Sequence, residues 1–128
     1  MIFGIGTDLV KMERMEKVYE RHGDRLINHL LLPQELALFR DNKRPVRFLA
    51  MRFAAKEAIV KALGTGFAHG MWIKDCGFVP NAWGRPDIIW SERGRALADQ
   101  FGVGEGHLTL TDEEGLIVAV AVLMKKAL

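Results

Sequence analysis

The sequence predicts an α+β fold: one compact domain over residues 1–128, built from a largely antiparallel sheet and a long central helix. Helical spacing of apolar residues dominates the first half of the chain, and the run from Val46 to Leu63 contains neither Gly nor Pro. The second half carries short alternating or continuous apolar runs separated by turn residues, the mark of hairpin-connected strands. Hydrophobic residues at 49% and charged residues at 27% give enough apolar surface for a real core and exclude a disordered chain.

Each element has its own signal. Ile2, Phe3 and Ile5, interspersed with glycines, predict a short strand ending near Asp8. The charged stretch Lys11 to His22 follows with helical spacing, placing Met12, Met15, Val18 and Tyr19 on one side. Gly23-Asp24 reads as a stop followed by an N-cap. Arg25 to Leu32 is a second apolar-rich segment closed by Pro33, and Gln34 to Arg40 is a short helix. After the polar loop from Asp41 to Pro45 comes the strongest helix, Val46 to Leu63, with Gly64 placed to end it. Being apolar around most of its circumference, it should be largely buried. Ile73 to Val79 and Asp87 to Trp90 read as strands flanking a turn from Asn81 to Pro86. Ser91 precedes the helix Glu92 to Phe101 as its N-cap. His107 to Thr111 alternates like a strand, Asp112 to Gly115 makes a turn, and Leu116 to Met124 is a buried strand.

Charge and cysteine usage remove several function classes. Eighteen Lys plus Arg against 16 Asp plus Glu leave +2, too even a balance for a strongly basic nucleic-acid binder. Cys76 is the only cysteine, which rules out an internal disulfide or a multi-thiolate zinc site and fits a reducing, cytoplasmic setting. Met1 to Gly6 lacks the features of a signal peptide, and the run Leu116 to Met124 is half of what a membrane-spanning helix needs. A soluble, unexported protein with no membrane partner is expected. Ser91 is the only serine, so an internal serine nucleophile would rest on a residue already suited to capping. His22, His29, His69 and His107 show no metal-ligand spacing.

The chemistry-bearing residues cluster at two places. Glu57 and Lys61 are four apart on the central helix and share a face with Gly64. They form either a surface ion pair or, because the helix is so apolar, a carboxylate that needs a stronger cation nearby. Asp8 follows Gly4-Ile5-Gly6-Thr7, where glycines allow close backbone approach; it either caps the next helix or joins Glu57 in holding one hard cation such as magnesium. Lys43, Arg44, Arg47, Arg52, Lys56 and Lys61 crowd this helix with cations, a density suited to phosphate groups. Gly64-Thr65-Gly66 can either offer backbone amides to an anion or serve as a helix C-cap. Lys43, Arg44, Arg52, Lys56, Lys61, Gly64 and Thr65 are therefore the candidate substrate-binding residues. Arg14, Lys17 and Arg21 share a face of the first helix, with Arg25 just beyond.

Two ordered motifs carry a resemblance. Gly4-Ile5-Gly6-Thr7-Asp8 followed by Arg14, and Arg52-Phe53-Ala54-Ala55-Lys56-Glu57-Ala58 followed by Lys61-Ala62-Leu63-Gly64-Thr65-Gly66, closely resemble the phosphopantetheinyl transferases, in particular their bacterial holo-acyl-carrier-protein synthase group. The similarity runs nearly end to end and includes Asn81 to Pro86 and Leu108-Thr109-Leu110-Thr111. It implies transfer of 4′-phosphopantetheine from coenzyme A to a serine of apo acyl carrier protein, in support of fatty acid biosynthesis, with release of adenosine 3′,5′-bisphosphate. By the same match Asp8 and Glu57 would hold magnesium and Lys61 would meet the pyrophosphate, making these three the expected catalytic set. Lys43 and Arg44 would approach the 3′-phosphate, and Arg14, Arg21 and Arg25 would face the acidic carrier. The resemblance also implies a homotrimer with active sites between subunits. Asp112 stands where many relatives carry His. Two other readings compete: a nonenzymatic module binding an acidic protein through helix 11–22, and a magnesium-dependent nucleotide hydrolase.

Overall fold

The computed structural model describes residues 1–127. Strand β1 (Ile2–Lys11) leads directly into helix α1 (Met12–His22). Helices α2 (Asp24–Leu30), α3 (Pro33–Arg40) and α4 (Pro45–Leu63) follow. Then come a hairpin of β2 (Cys76–Pro80) and β3 (Pro86–Trp90), helix α5 (Glu92–Gln100), and the long strands β4 (Val103–Glu113) and β5 (Leu116–Lys125). The strands form an antiparallel sheet in the order β1-β5-β4, with β2-β3 as a separate two-stranded sheet.

Helix α4 lies across the inner face of the three-stranded sheet. Its alanines at 54, 55, 58 and 62 are buried and small, so the helix axis can come close to β1 and β5. The opposing strands present Gly4, Gly6 and Val10 from β1, Ile117, Ala119, Ala121 and Leu123 from β5, and Leu108 from β4, every second residue as the pleat requires. Alpha4 ends at Gly64, whose φ of 83° is the left-handed C-cap conformation glycine adopts without penalty. Among the described residues, no helix is long and apolar enough to cross a membrane.

Several boundaries differ from the sequence reading. β1 does not end near Asp8 but continues to Lys11, because β5 pairs with it through Lys11↔Leu116 and the Met12 amide donates to Gly115 O at 2.9 Å. Asp8 is therefore mid-strand and caps no helix. Asp24 belongs to α2, and Gly23 occupies the cap position. Ile73–Asp75 is a 3₁₀ turn rather than strand, since Asp75 Oδ2 folds back to accept from the Trp72 amide at 2.8 Å. β4 starts at Val103, where Gly104 and Gly106 hide the alternation around a register shift. A β-carbon on Gly106 would come within 2.7 Å of Leu123 Cδ2. Asp112 and Glu113 continue that strand, leaving only Glu114 and Gly115, with φ of 52° and 77°, for the turn. Ser91 caps α5 as expected, accepting from the Gly94 amide at 2.8 Å.

Candidate active site

The two glycines of Gly4-Ile5-Gly6 bring β1 against the backbone of α4. A β-carbon at Gly4 would lie 1.9 Å from Ala62 O, and one at Gly6 would lie 2.0 Å from Ala58 O. Only glycine fits at either position. One pleat further along the same face stands Asp8, and the helix turn it meets carries Glu57 and Lys61. Lys61 Nζ donates to Asp8 Oδ1 at 3.2 Å and to Thr7 O at 3.0 Å. The lysine thus pairs with Asp8, not with Glu57, its i−4 neighbour in sequence.

Glu57 is half-buried between the sheet and α1. Burial is the main cause holding its carboxyl above the usual range; the neighbouring Asp8 carboxylate adds to this, and Lys61 offsets part of it. Two carboxylates in one cleft, where one raises the other's cost of ionisation, are stabilised by a cation. Among the described residues no cluster of three or more His, Cys, Asp or Glu forms a closed metal cage. One or two carboxylates, with the other positions left to water and phosphate oxygens, are the donor set magnesium uses. Asp8 and Glu57 fit that requirement.

Both carboxylates open into a cleft of about 570 Å³ whose walls include Arg14, Val18, Leu26 and Phe53. Of the expected partner-binding residues, Arg14 enters this cleft directly. Val18 also borders a neighbouring depression with Lys17 and Arg21, and Leu26 borders another with His22, Arg25 and His29. The carboxylate pair and the basic edge of α1–α2 are therefore parts of one continuous surface. The sequence reading singled out neither Phe53 nor Leu26; Phe53 lies one helical turn before Glu57, the spacing that signals a shared face.

Other expected binding residues lie elsewhere. Lys56 is fully buried: its Nζ donates to Glu35 Oε1 at 2.8 Å and also to Cys76 O. Arg52 Nε donates to Phe78 O at 3.2 Å and pairs with Glu35 Oε2 at 3.4 Å, its guanidinium stacked between the rings of Phe48 and Phe78. Desolvation pushes the Arg52 pKa down to about 10. Lys56 and Arg52 were expected to bind substrate; within one chain both turn toward the buried Glu35, which the sequence reading passed over, and Arg52 also borders a cavity of about 320 Å³ with Asn42 and Arg47. Glu35 stands at the third position of α3, and its carboxylate also accepts from the Leu32 and Phe78 amides. The Gly64-Thr65-Gly66 amides all donate to Val60 O at 3.1–3.2 Å, so of the two uses the sequence offered for them the structure shows the helix cap of α4. Lys43 and Arg44 are exposed in the loop before α4. Glu57 and Lys61 lie about 20–25 Å further along that helix at 1.5 Å per residue. A single chain does not bring the two sets together.

An α+β fold whose cleft joins two carboxylates to a lysine beside a basic surface has the charged groups that chemistry on phosphate esters calls for. The chain belongs to the 4′-phosphopantetheinyl transferase superfamily, whose family profile matches residues 4–121. It is 44% identical over 124 residues to a holo-[acyl-carrier-protein] synthase of Halorhodospira halophila, covering 97% of this chain and 98% of that protein. The crystal structure of holo-[acyl-carrier-protein] synthase from Neisseria meningitidis superposes with a TM-score of 0.93 at 34% identity, covering 98% of this chain and 100% of that one. The Helicobacter pylori synthase, solved in complex with coenzyme A, superposes with a TM-score of 0.80 at 28% identity, covering 93% and 98% of the two chains.

Proposed function

We propose that this protein is a magnesium-dependent holo-acyl-carrier-protein synthase, moving 4′-phosphopantetheine from coenzyme A to a serine of apo acyl carrier protein in the cytoplasm, in support of fatty acid biosynthesis. The observation that carries this reading is the convergence of Asp8, Glu57 and Lys61 on a cleft edged by Arg14, in a chain of this superfamily. The carrier serine oxygen forms the new bond to phosphorus at the pantetheine end of the pyrophosphate. The pyrophosphate P–O bond breaks, and adenosine 3′,5′-bisphosphate leaves with the electron pair. Asp8 and Glu57 would hold the magnesium, which supplies charge neutralisation and alignment of the phosphate oxygens. Lys61, already poised beside Asp8, has three donors to offer the pyrophosphate. The serine proton passes either to the Glu57 carboxylate or to water. Ser91, the chain's only serine, donates to Asp75 Oδ1 at 2.8 Å while capping α5, consistent with a nucleophile supplied by the partner.

Assembly as a homotrimer with sites between subunits is part of the proposal, and two observations support it. The face of the β1-β5-β4 sheet turned away from α4 carries Val118, Val120 and Val122 along its central strand, beside Ile5 and Leu9 at 59% and 57% exposure. A strand apolar on both faces is normally covered on both. In addition, the separation of about 20–25 Å along α4 between Lys43–Arg44 and Glu57–Lys61 favours their being supplied to one coenzyme A by different subunits.

The nonenzymatic and nucleotide-hydrolase readings are set aside by superfamily membership across nearly the whole chain. Incubating the protein with apo acyl carrier protein, coenzyme A and magnesium and weighing the carrier by mass spectrometry tests the proposal. A pantetheinyl mass gain is expected; an unchanged carrier, with coenzyme A intact or simply hydrolysed, would refute it.

A further inference from the structure

Trp72 stands 63% exposed at the surface, yet it is held from two sides. Its amide donates to Asp75 Oδ2 at 2.8 Å, closing the 3₁₀ turn Ile73–Asp75, and the same buried carboxylate pairs with Arg93. Arg93 in turn lies over the indole, its guanidinium carbon 3.9 Å from the ring centroid. Ser91 Oγ donates to Asp75 Oδ1 at 2.8 Å and so fixes the carboxylate itself. An aromatic side chain fixed in place and open to water loses little freedom when a partner covers it, the property that makes tryptophan an anchor of interfaces.

The indole borders a groove of about 380 Å³ with His29, Phe67, Met71, Ile73 and Lys74. Met71 is fully buried, and Phe67 and Ile73 are half-buried. His29 also borders the depression that holds His22, Arg25 and Leu26, and Leu26 lines the Asp8–Glu57 cleft. The groove is thus the far end of a surface that begins at the two carboxylates and passes around α2. Among the described residues, no carboxylate lines either the groove or that depression, whereas Arg25 and Lys74 do. An apolar slot edged by cations alone fits an acidic partner.

We propose that this groove is a second docking point for the acidic carrier protein, which places an apolar side chain between Trp72 and Phe67 and carboxylates beside Lys74 and Arg25. This rests on the carrier reading above and adds to it a contact remote from Arg14 and Arg21 on α1. Those arginines act by charge, which salt screens; Trp72 acts by buried apolar area, which salt does not.

The test is calorimetric binding of apo acyl carrier protein without coenzyme A, at about 0.1 M and about 1 M salt. Trp72→Ala should weaken binding about 10-fold at both, and Trp72→Phe should restore most of the loss. Lys74→Glu alters an exposed side chain and should weaken binding about threefold at the lower salt and little at the higher. In turnover, both Trp72→Ala and Lys74→Glu should raise KM for the carrier and move KM for coenzyme A less than about twofold. Carrier affinity unchanged in both variants would overturn the inference. So would a rise confined to the coenzyme A KM, which would give the groove to the substrate's own arm, or loss of self-association by Trp72→Ala in sedimentation, which would give it to a second copy of the chain. In each of these cases the unmodified protein still modifies the carrier; if it does not, the carrier reading itself is refuted.

Discussion

Gly6 lies so close to Ala58 that a β-carbon on it would stand 2.0 Å from the Ala58 carbonyl oxygen. This contact sets the spacing between β1 and α4, and thereby places Asp8 beside Lys61 and Glu57. Gly6→Ala must push strand and helix apart, and backbone cannot yield as a side chain can. A loss of about 2–3 kcal/mol or more in denaturant unfolding is expected, with activity falling further than the folded fraction accounts for. A Gly6→Ala protein with unchanged unfolding midpoint and turnover would show that the close approach is unimportant.

Glu35 is enclosed with two cations and two amides as partners, so its removal strands more than the removal of Lys56 does. Glu35→Gln leaves Lys56 and Arg52 as buried, uncompensated charges and should cost about 3–5 kcal/mol. Lys56→Met leaves Glu35 still paired with Arg52 and bonded to the Leu32 and Phe78 amides, and should cost less. Equilibrium unfolding of both variants gives the order; Lys56→Met as the more damaging change would contradict it.

The long elements were legible because their signals are local. Helix 46–63, the Ser91 cap and the apolar strand from Leu116 all follow from spacing and residue type. The misplaced boundaries share a cause in partners distant in sequence: β5 extends β1 to Lys11, and a bulge facing Leu123 conceals the start of β4. At the site, Asp8, Glu57 and Lys61 converge as their motifs suggested. The pairing of Lys56 and Arg52 with Glu35 was hidden because a cation on a helix looks the same whether it faces phosphate or a buried carboxylate. Glu35 lies between the two motifs, outside both, and gave no pattern that marked it as that partner.

Glu57 carries a pH signature. Its carboxyl is held above the ordinary value of 4.5 chiefly by burial and then by Asp8, so in the metal-free protein its ionisation opposes folding. The sign follows: stability attributable to this group is full below the ordinary carboxyl range and is lost as pH rises through the elevated native value. Glu57→Gln, measured with chelator present, should therefore unfold at higher temperature than the unmodified protein at neutral pH, and the difference should shrink as pH falls below 4.5. A Glu57→Gln protein less stable at pH 7 than at pH 4, relative to the parent, would reverse the assignment.

Arg14 and Arg21 are exposed on α1, on the surface continuous with the carboxylate cleft. Reversing both charges should raise KM for an acidic carrier protein about tenfold while leaving KM for coenzyme A nearly unchanged. The carrier KM of the unmodified protein should rise with salt as the Debye length contracts from about 10 Å at 0.1 M to about 3 Å at 1 M. Equal effects on the two substrates, or no dependence on salt, would place carrier docking elsewhere.

Phosphopantetheine transfer by the Asp8–Glu57 pair with Lys61 is tested most directly by intact-mass measurement of apo acyl carrier protein. With coenzyme A and magnesium, the unmodified protein should convert the carrier to its pantetheinylated form. Asp8→Asn and Glu57→Gln, folded by circular dichroism, should slow that conversion at least about 100-fold at limiting magnesium. Conversion by either variant at the unmodified rate, or no conversion by the unmodified protein, would contradict the account.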